Sequence, residues 1–302
     1  MAWKTYFLKY RLLSPLHIGD LSLGNVQKTL FYIPGRTLWG AATAILTRTN
    51  KASPVFADYQ KIGEDVSNGI RFGYFFPEYA GTRYLPMWTG NDIKYGPNHI
   101  SVEDMQHRFL FSEASTAIVN NTFAAETASL HETEYVWLQN RLFSSQNESL
   151  YFSGYLYLNL ENLKVLNHLT EDALLSQLET LFVGANRRMG AGKLQRSECE
   201  LKTEQDCADP EPGDDDRSMK FEDQKIAAAH ILHEPDSMNF TIKGPIQPLV
   251  FRDWAEHRPP DKRFGAGQNV VYEGVAWKPG ALIPKGVSIQ VTKYGRWKIY
   301  AG

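Results

Sequence analysis

The chain has 302 residues, 43% of them hydrophobic and 13% aromatic, which is enough for one large globular domain or two ordinary ones. Charge interrupts the N-terminal Met-Ala-Trp-Lys-Thr-Tyr-Phe-Leu-Lys-Tyr-Arg before an apolar stretch can form, and no run reaches the length of a membrane span, so a cytoplasmic protein without a membrane partner is expected. Cys199 and Cys207 are separated by seven residues with no histidine at ligand spacing, and His230 and His233 form a lone H-x-x-H, so neither a disulfide framework, a metal site nor a cofactor is expected.

Residues 2–10 are rich in aromatics and end at the Ser14-Pro15 turn, which predicts a first strand. Leu16-His17-Ile18-Gly19-Asp20 opens a loop rich in Gly, Ser and Asn. Tyr32-Ile33-Pro34-Gly35 then leads into a helix in which Thr37 is placed as the cap and Leu38, Ala41, Ala42 and Ile45 recur at helical spacing. From Phe109 to Tyr135 the sequence is rich in Thr and Ser, with an Asn120-Asn121 pair suited to a turn, and is expected to form a long protruding β-hairpin. Leu150 to Leu160 alternates as a strand. Thr170 caps a helix with acids in its first turn and a stripe of Leu174, Leu175, Leu178 and Leu181. Short strands follow between Met238 and Tyr300, separated by the Lys278-Pro279-Gly280 and Pro284-Lys285-Gly286 turns. This order predicts an α+β, ferredoxin-like (RRM-like) antiparallel sheet with helices on one face and the other face free for a ligand. Residues 225–302 either complete that sheet or form a second domain.

The net charge of −2 is unevenly spread. Between Glu198 and Asp223, eleven acidic residues face three basic ones, which leaves the rest of the chain at +6. With its prolines and like charges, the 198–224 segment is expected to be a flexible connector between a 1–197 core and the 225–302 region.

The segment Val183-Gly184-Ala185-Asn186-Arg187-Arg188-Met189-Gly190-Ala191-Gly192-Lys193-Leu194 threads three glycines with three cations. It fails the Walker A pattern, because Met189 stands five places after Gly184 and Leu194 follows Lys193. It fails G-x-G-x-x-G, because Gln195 stands at the third glycine. Two readings stay open on these residues alone: a surface turn with solvated cations, or a loop laid against an anionic chain.

Leu13-Ser14-Pro15-Leu16-His17-Ile18-Gly19, Tyr32 to Ala41, the Thr116 to Tyr135 hairpin, and Phe182 to Lys193 fall in an order that resembles RAMP proteins, the RNA-binding subunits of CRISPR effector complexes, especially type III. The resemblance spans about the first 195 residues and implies guide RNA, target RNA and other effector subunits as partners. It implies a ferredoxin-like core, a glycine-rich loop that clamps guide RNA, and a hairpin thumb that intercalates in the guide–target duplex. It also implies a helix whose amino end, at Ile33-Pro34-Gly35, faces the guide backbone. The candidate RNA contacts are His17, Gly35, Arg36, Asn120, Asn121, Gly184, Asn186, Arg187, Arg188, Gly190, Gly192 and Lys193. Type III subunits that cut target RNA carry an aspartate in the loop after the His-Ile-Gly segment, whereas Leu21 to Tyr32 holds no carboxylate and only Asp20 is near. A non-cutting subunit is therefore expected. His17 has three readings: an RNA contact, a brace for the first strand, or a general base. The alternatives to an RNA-binding subunit are a ribonuclease acting through Asp20 or His17 and an assembly protein whose loops touch only protein. Phe264-Gly265-Ala266-Gly267-Gln268 is a candidate second glycine-rich loop, and most of the aromatics are assigned to the core.

Overall fold

The structure, a computed structural model, describes residues 3–142, 148–203, 210, 219–220, 223–232, 241–255 and 265–300. β1 (Lys4–Leu12) buries Tyr6, Leu8, Tyr10 and Leu12 on one face through the two-residue period of a strand. A hairpin of β2 (Gly19–Leu23) and β3 (Val26–Thr29) precedes the helices α1 (Gly35–Asn50) and α2 (Phe56–Gly69). Next come β4 (Ile70–Phe72), β5 (Phe76–Tyr79), β6 (Thr82–Arg83), β7 (Pro86–Trp88), β8 (Ile93–Tyr95) and α3 (Val102–Phe109). β9 (Leu110–Ser115) and β10 (His131–Val136) form the hairpin, followed by β11 (Tyr151–Leu158), α4 (Glu171–Gln177), β12 (Thr180–Phe182) and β13 (Lys193–Lys202). The C-terminal part supplies β14 (Met219–Lys220), β15 (Lys225–Ile226), β16 (Ile231–Leu232), β17 (Ile246–Ala255), β18 (Gly265–Trp277), β19 (Leu282–Ile283), β20 (Ser288–Val291) and β21 (Trp297–Tyr300).

The architecture is α+β with mostly antiparallel sheets. The central sheet runs β12-β13-β1-β11-β5-β6, and β4 and β5 pair with successive parts of β11. A second sheet, β2-β3-β10-β9, carries the hairpin, and a third, β14-β20-β21-β16-β18-β17, forms the C-terminal part. One face of the central sheet packs its Leu8, Tyr10, Phe152 and Leu156 against Leu38, Ala42 and Leu46 of α1, Ile62 and Val66 of α2, and Leu174 of α4.

The other face is not free. Tyr74, Phe76, Tyr155 and Tyr157 are buried against Ala227, Ala228, Ile231, Ile283, Ile289 and Trp297 of the C-terminal part. The expectation of an open sheet face fails because this face carries aromatic rings, and burying such surface in the same chain is strongly favourable, roughly 25 cal/mol per Å2.

Local readings shift as well. α1 starts at Gly35, because the Pro34 carbonyl already accepts Thr37 N–H at 2.9 Å, so Thr37 lies inside the helix and caps nothing. α4 stops at Gln177; Leu178 follows it and Leu181 sits on β12, although all four leucines of the stripe are buried. Phe109 ends α3, and the hairpin runs on to Val136. β13 continues past position 197, with a shift in its pairing to β1 between Arg196 and Glu198, so the strand carries the first residues of the acidic segment into the central sheet. Gly265 to Gln268 lie on β18, where Gly265 pairs with Ala255, and form no loop. Cys207, His233, Phe264 and most of the acidic 198–224 segment lie outside the described residues.

Candidate nucleic-acid interface

β12 ends at Phe182, and the glycine loop is closed at its neck by Val183 N–H donating to the Gly192 carbonyl at 2.9 Å. The loop docks on the Ser14 to Gly19 segment. Ala185 N–H donates to the His17 carbonyl at 3.0 Å, Gly192 N–H to the Pro15 carbonyl at 2.8 Å, and Lys193 N–H to the Ser14 hydroxyl at 2.8 Å. A Cβ at Gly184 would stand 2.2 Å from the His17 carbonyl oxygen, and one at Gly192 would stand 1.9 Å from that of Val183. Both residues also have φ of +78°. These two glycines thus admit the protein's own backbone. Gly190, with φ of +89° and open space beside it, is the one that faces outward.

Between these glycines, Arg187–Met189 makes a single 3-10 turn. Asn186 starts that turn in the left-handed region, and its side-chain amide donates to the Tyr135 hydroxyl at 2.7 Å. Tyr135 stacks on Phe111 and meets the His17 ring edge-on, and the Leu16–Val136 bridge ties the same segment to the hairpin base. Three of the four sequence motifs therefore converge: Ser14–Gly19, the hairpin base, and the glycine loop. Arg187, Arg188 and Lys193 are exposed there, as is Met189 at 75%. Among the described residues none of these cations has a carboxylate within salt-bridge distance.

His17 is only 4% exposed, and its Nδ1–H donates to the Glu134 carbonyl at 2.7 Å. The ring braces the base of the hairpin through Glu134 and Tyr135 of β10 instead of the first strand, and at 4% exposure it offers little surface to an outside hydroxyl, while its backbone carbonyl seats the loop. Asp20 lies exposed on β2. Although the residue keeps solvent contact, the protein packed around the carboxyl strips part of its hydration and holds it above the ordinary range; this desolvation is the largest cause, Lys278 opposes it, and Glu134 adds to it. Asn120 and Asn121 occupy the exposed turn of the hairpin, whose tip closes through Val119 N–H to the Ala124 carbonyl at 2.9 Å. Beside them Ile118 and Phe123 stand out into solvent, Phe123 at 84%.

The fourth motif does not join the others. Gly35 is buried, and a Cβ there would stand 2.2 Å from the Phe72 carbonyl oxygen and 2.5 Å from that of Tyr294. The Arg36 guanidinium pairs with Asp253 at 2.8 Å and lies over the rings of Phe251 at 3.4 Å and Tyr294 at 4.3 Å. The amino end of α1 thus faces the C-terminal part of the chain, and Gly35 and Arg36 are occupied there. No local signal reveals such a partnership, because the residues that claim Arg36 lie more than 200 positions away. Tyr135 was missed as a positioning residue for the same reason.

No protein-family model and no curated protein sequence matches the chain. Among solved structures it resembles a chain of a Type III-B Cmr-beta complex bound to cognate target RNA and AMPPnP, with a TM-score of 0.58 over 92% of this chain and 86% of that one. The two share that fold. Their sequences are 12% identical. A second Cmr-beta structure, bound to cognate target RNA, gives a TM-score of 0.53 at 10% identity over the same shares of the two chains. Among the described residues no helix is long and apolar enough to cross a membrane.

Proposed function

We propose that the chain is an RNA-binding subunit of a type III-like CRISPR effector complex that grips the guide RNA and does not cut. The observation that carries this reading is the preformed loop from Gly184 to Lys193, which holds Arg187, Arg188 and Lys193 outward with no carboxylate within salt-bridge distance among the described residues. Unpaired arginines on a backbone fixed by glycines suit phosphate, and guanidinium planes also stack on unpaired bases. The fold likeness to chains of complexes that hold target RNA supports the same assignment. The order β13-β1-β11 with β4 and β5 beyond, and α1 and α4 against one face, supports a ferredoxin-like core. The hairpin, with Asn120, Asn121 and the exposed Phe123 at its tip, is read as a thumb that enters a guide–target duplex, where an aromatic ring inserts between bases. The non-cutting assignment rests on the carboxylate-free Leu21 to Tyr32 loop and on the buried His17 ring.

The test is a salt titration of binding to a single-stranded RNA of CRISPR-repeat sequence, with partner subunits present. Replacing Arg187, Arg188 and Lys193 together by alanine is expected to weaken binding and to reduce the slope of log affinity against log salt by about 2, at roughly 0.7 per phosphate contact. Affinity and slope unchanged in the triple variant would remove the loop from the site. Target cleavage abolished by Asp20→Ala with binding retained would replace the assignment by a ribonuclease.

A further inference from the structure

We propose that Arg48, in the last turn of α1, is a further RNA-backbone contact, so that the anionic strand leaves the glycine loop across the carboxyl end of this helix; this rests on the RNA-binding reading above. The amino end of α1, which the resemblance assigns to the guide, is sealed by Tyr294, Phe251 and Asp253. The opposite end is open. Arg48 is exposed, and the Asn50 amide next to it donates to the Gln177 side chain at 2.8 Å, which fastens the end of α1 to the end of α4. Only Leu178 to Phe182 separate that junction from the loop, and β12 packs against α1. His168, exposed, approaches the same Asn50 side chain at 3.3 Å. The carboxyl end of α1, with Arg48 exposed on it, is thus joined to the same α4–β12 segment that leads into the loop of Arg187 and Arg188.

A cation in the last turn of a helix has an ordinary explanation, because it complements the negative end of the helix dipole. That accounts for Arg48 alone but not for its neighbour. Arg187 feels both partial burial and the like charge of Arg48, which push its ionisation down, burial being the larger cause. Two guanidiniums that repel each other, with no described carboxylate within salt-bridge distance of either, stand where a bridging anion turns repulsion into attraction. A phosphodiester fits, since each guanidinium offers a bidentate fork to phosphate oxygens. A strand crossing the helix end with its phosphates on Arg48 and Arg187 also meets His168 and Asn50 as polar neighbours.

Binding of the repeat-derived single-stranded RNA is measured against salt for wild type, Arg187→Ala, Arg48→Ala, Arg48→Lys and Lys285→Ala, the last removing an exposed charge from a C-terminal turn. Arg48→Ala is expected to weaken binding about tenfold at low salt and to reduce the slope by roughly 0.7, with Arg48→Lys restoring most of the slope and Lys285→Ala leaving it unchanged. Alanine is a good helix former at an exposed position, so the thermal midpoint of Arg48→Ala without RNA checks that the fold is intact. If Arg187→Ala loses affinity while Arg48→Ala keeps the wild-type slope, this inference fails and the function stands. If Lys285→Ala costs as much as Arg48→Ala, the effect is bulk charge and the inference also fails. A wild-type protein without salt-sensitive affinity overturns the function itself.

Discussion

Arg36 separates a structural role from a binding role in a single variant. Its guanidinium is held between Phe251 and Tyr294 and pairs with Asp253, whose side chain is 40% exposed. Stacking on aromatic faces contributes about 1–2 kcal/mol at a partly desolvated site, and an ion pair with one half-exposed partner adds at most about 1 kcal/mol. Arg36→Ala should therefore cost about 2–3 kcal/mol, which for a chain of this size lowers the apparent thermal midpoint by roughly 5 °C. Its effect on the salt slope of RNA binding should be nil. Differential scanning fluorimetry and the salt titration, run on one preparation, read the two quantities side by side. A variant that melts like wild type but binds RNA with a flatter slope would refute the reasoning, because it would return Arg36 to the guide backbone.

Further predictions address the loop, the core and pH. Gly192→Ala should disrupt the loop and weaken RNA binding severely, since its Cβ would meet the Val183 carbonyl at 1.9 Å, whereas Gly190→Ala faces open space and should cost only the roughly 1 kcal/mol of a left-handed alanine; equal effects on affinity would contradict the docking geometry. Asp65 is buried and accepts the N–H groups of Lys164, Val165 and Leu166 at 2.6, 3.0 and 2.9 Å, so Asp65→Ala orphans three donors and should destabilise by about 3 kcal/mol or more, with Asp65→Asn milder, as urea unfolding would read. His230 is buried between the Tyr74 hydroxyl and the Gln247 amide, and burial, aided by Lys278 and Arg296, pushes its ionisation down from 6.5 to about 3. Its stabilising contribution is thus complete above pH 6.5 and is lost as pH falls toward 3, because only the unfolded chain takes up the proton in that window. The thermal midpoint of wild type should fall more steeply than that of His230→Gln between pH 6.5 and 4; parallel curves would contradict the burial.

What could be read from the sequence follows from how local each cause is. The strand at Lys4–Leu12, the Leu38–Ala41–Ala42 face of α1 and the hairpin ladder are set by period and turn chemistry within a few residues, and they stand close to where the pattern puts them. The glycine loop was visible because left-handed backbone favours glycine and asparagine, and Gly184, Asn186, Gly190 and Gly192 all adopt it. α2 went unread although Ile62 and Val66 repeat at helical spacing, since polar residues dominate Phe56–Gly69. The covering of the second sheet face could not be read at all. Tyr74, Phe76, Tyr155 and Tyr157 have the same composition whether they stack RNA bases or pack against Ala227 and Ile289, and only tertiary placement distinguishes the two.

Under the proposed function, that placement changes how RNA recognition would be divided within the chain. A free sheet face would read bases by stacking, and sequence preference would follow from its aromatics. With the face buried, the groups left exposed at the three converging motifs include guanidiniums on the loop and an apolar hairpin tip, a set that under the proposed function would grip backbone and wedge between bases without reading their edges. A grip of that kind would tolerate any guide sequence. It also depends on rigidity more than on contact number. Asn186, Tyr135, His17 and the Leu16–Val136 bridge fix the loop and the hairpin base to one another within the folded chain, so that, under the proposed function, the ordering cost of binding is met in folding. On that proposal His17 acts through the two motifs it joins, without touching the RNA.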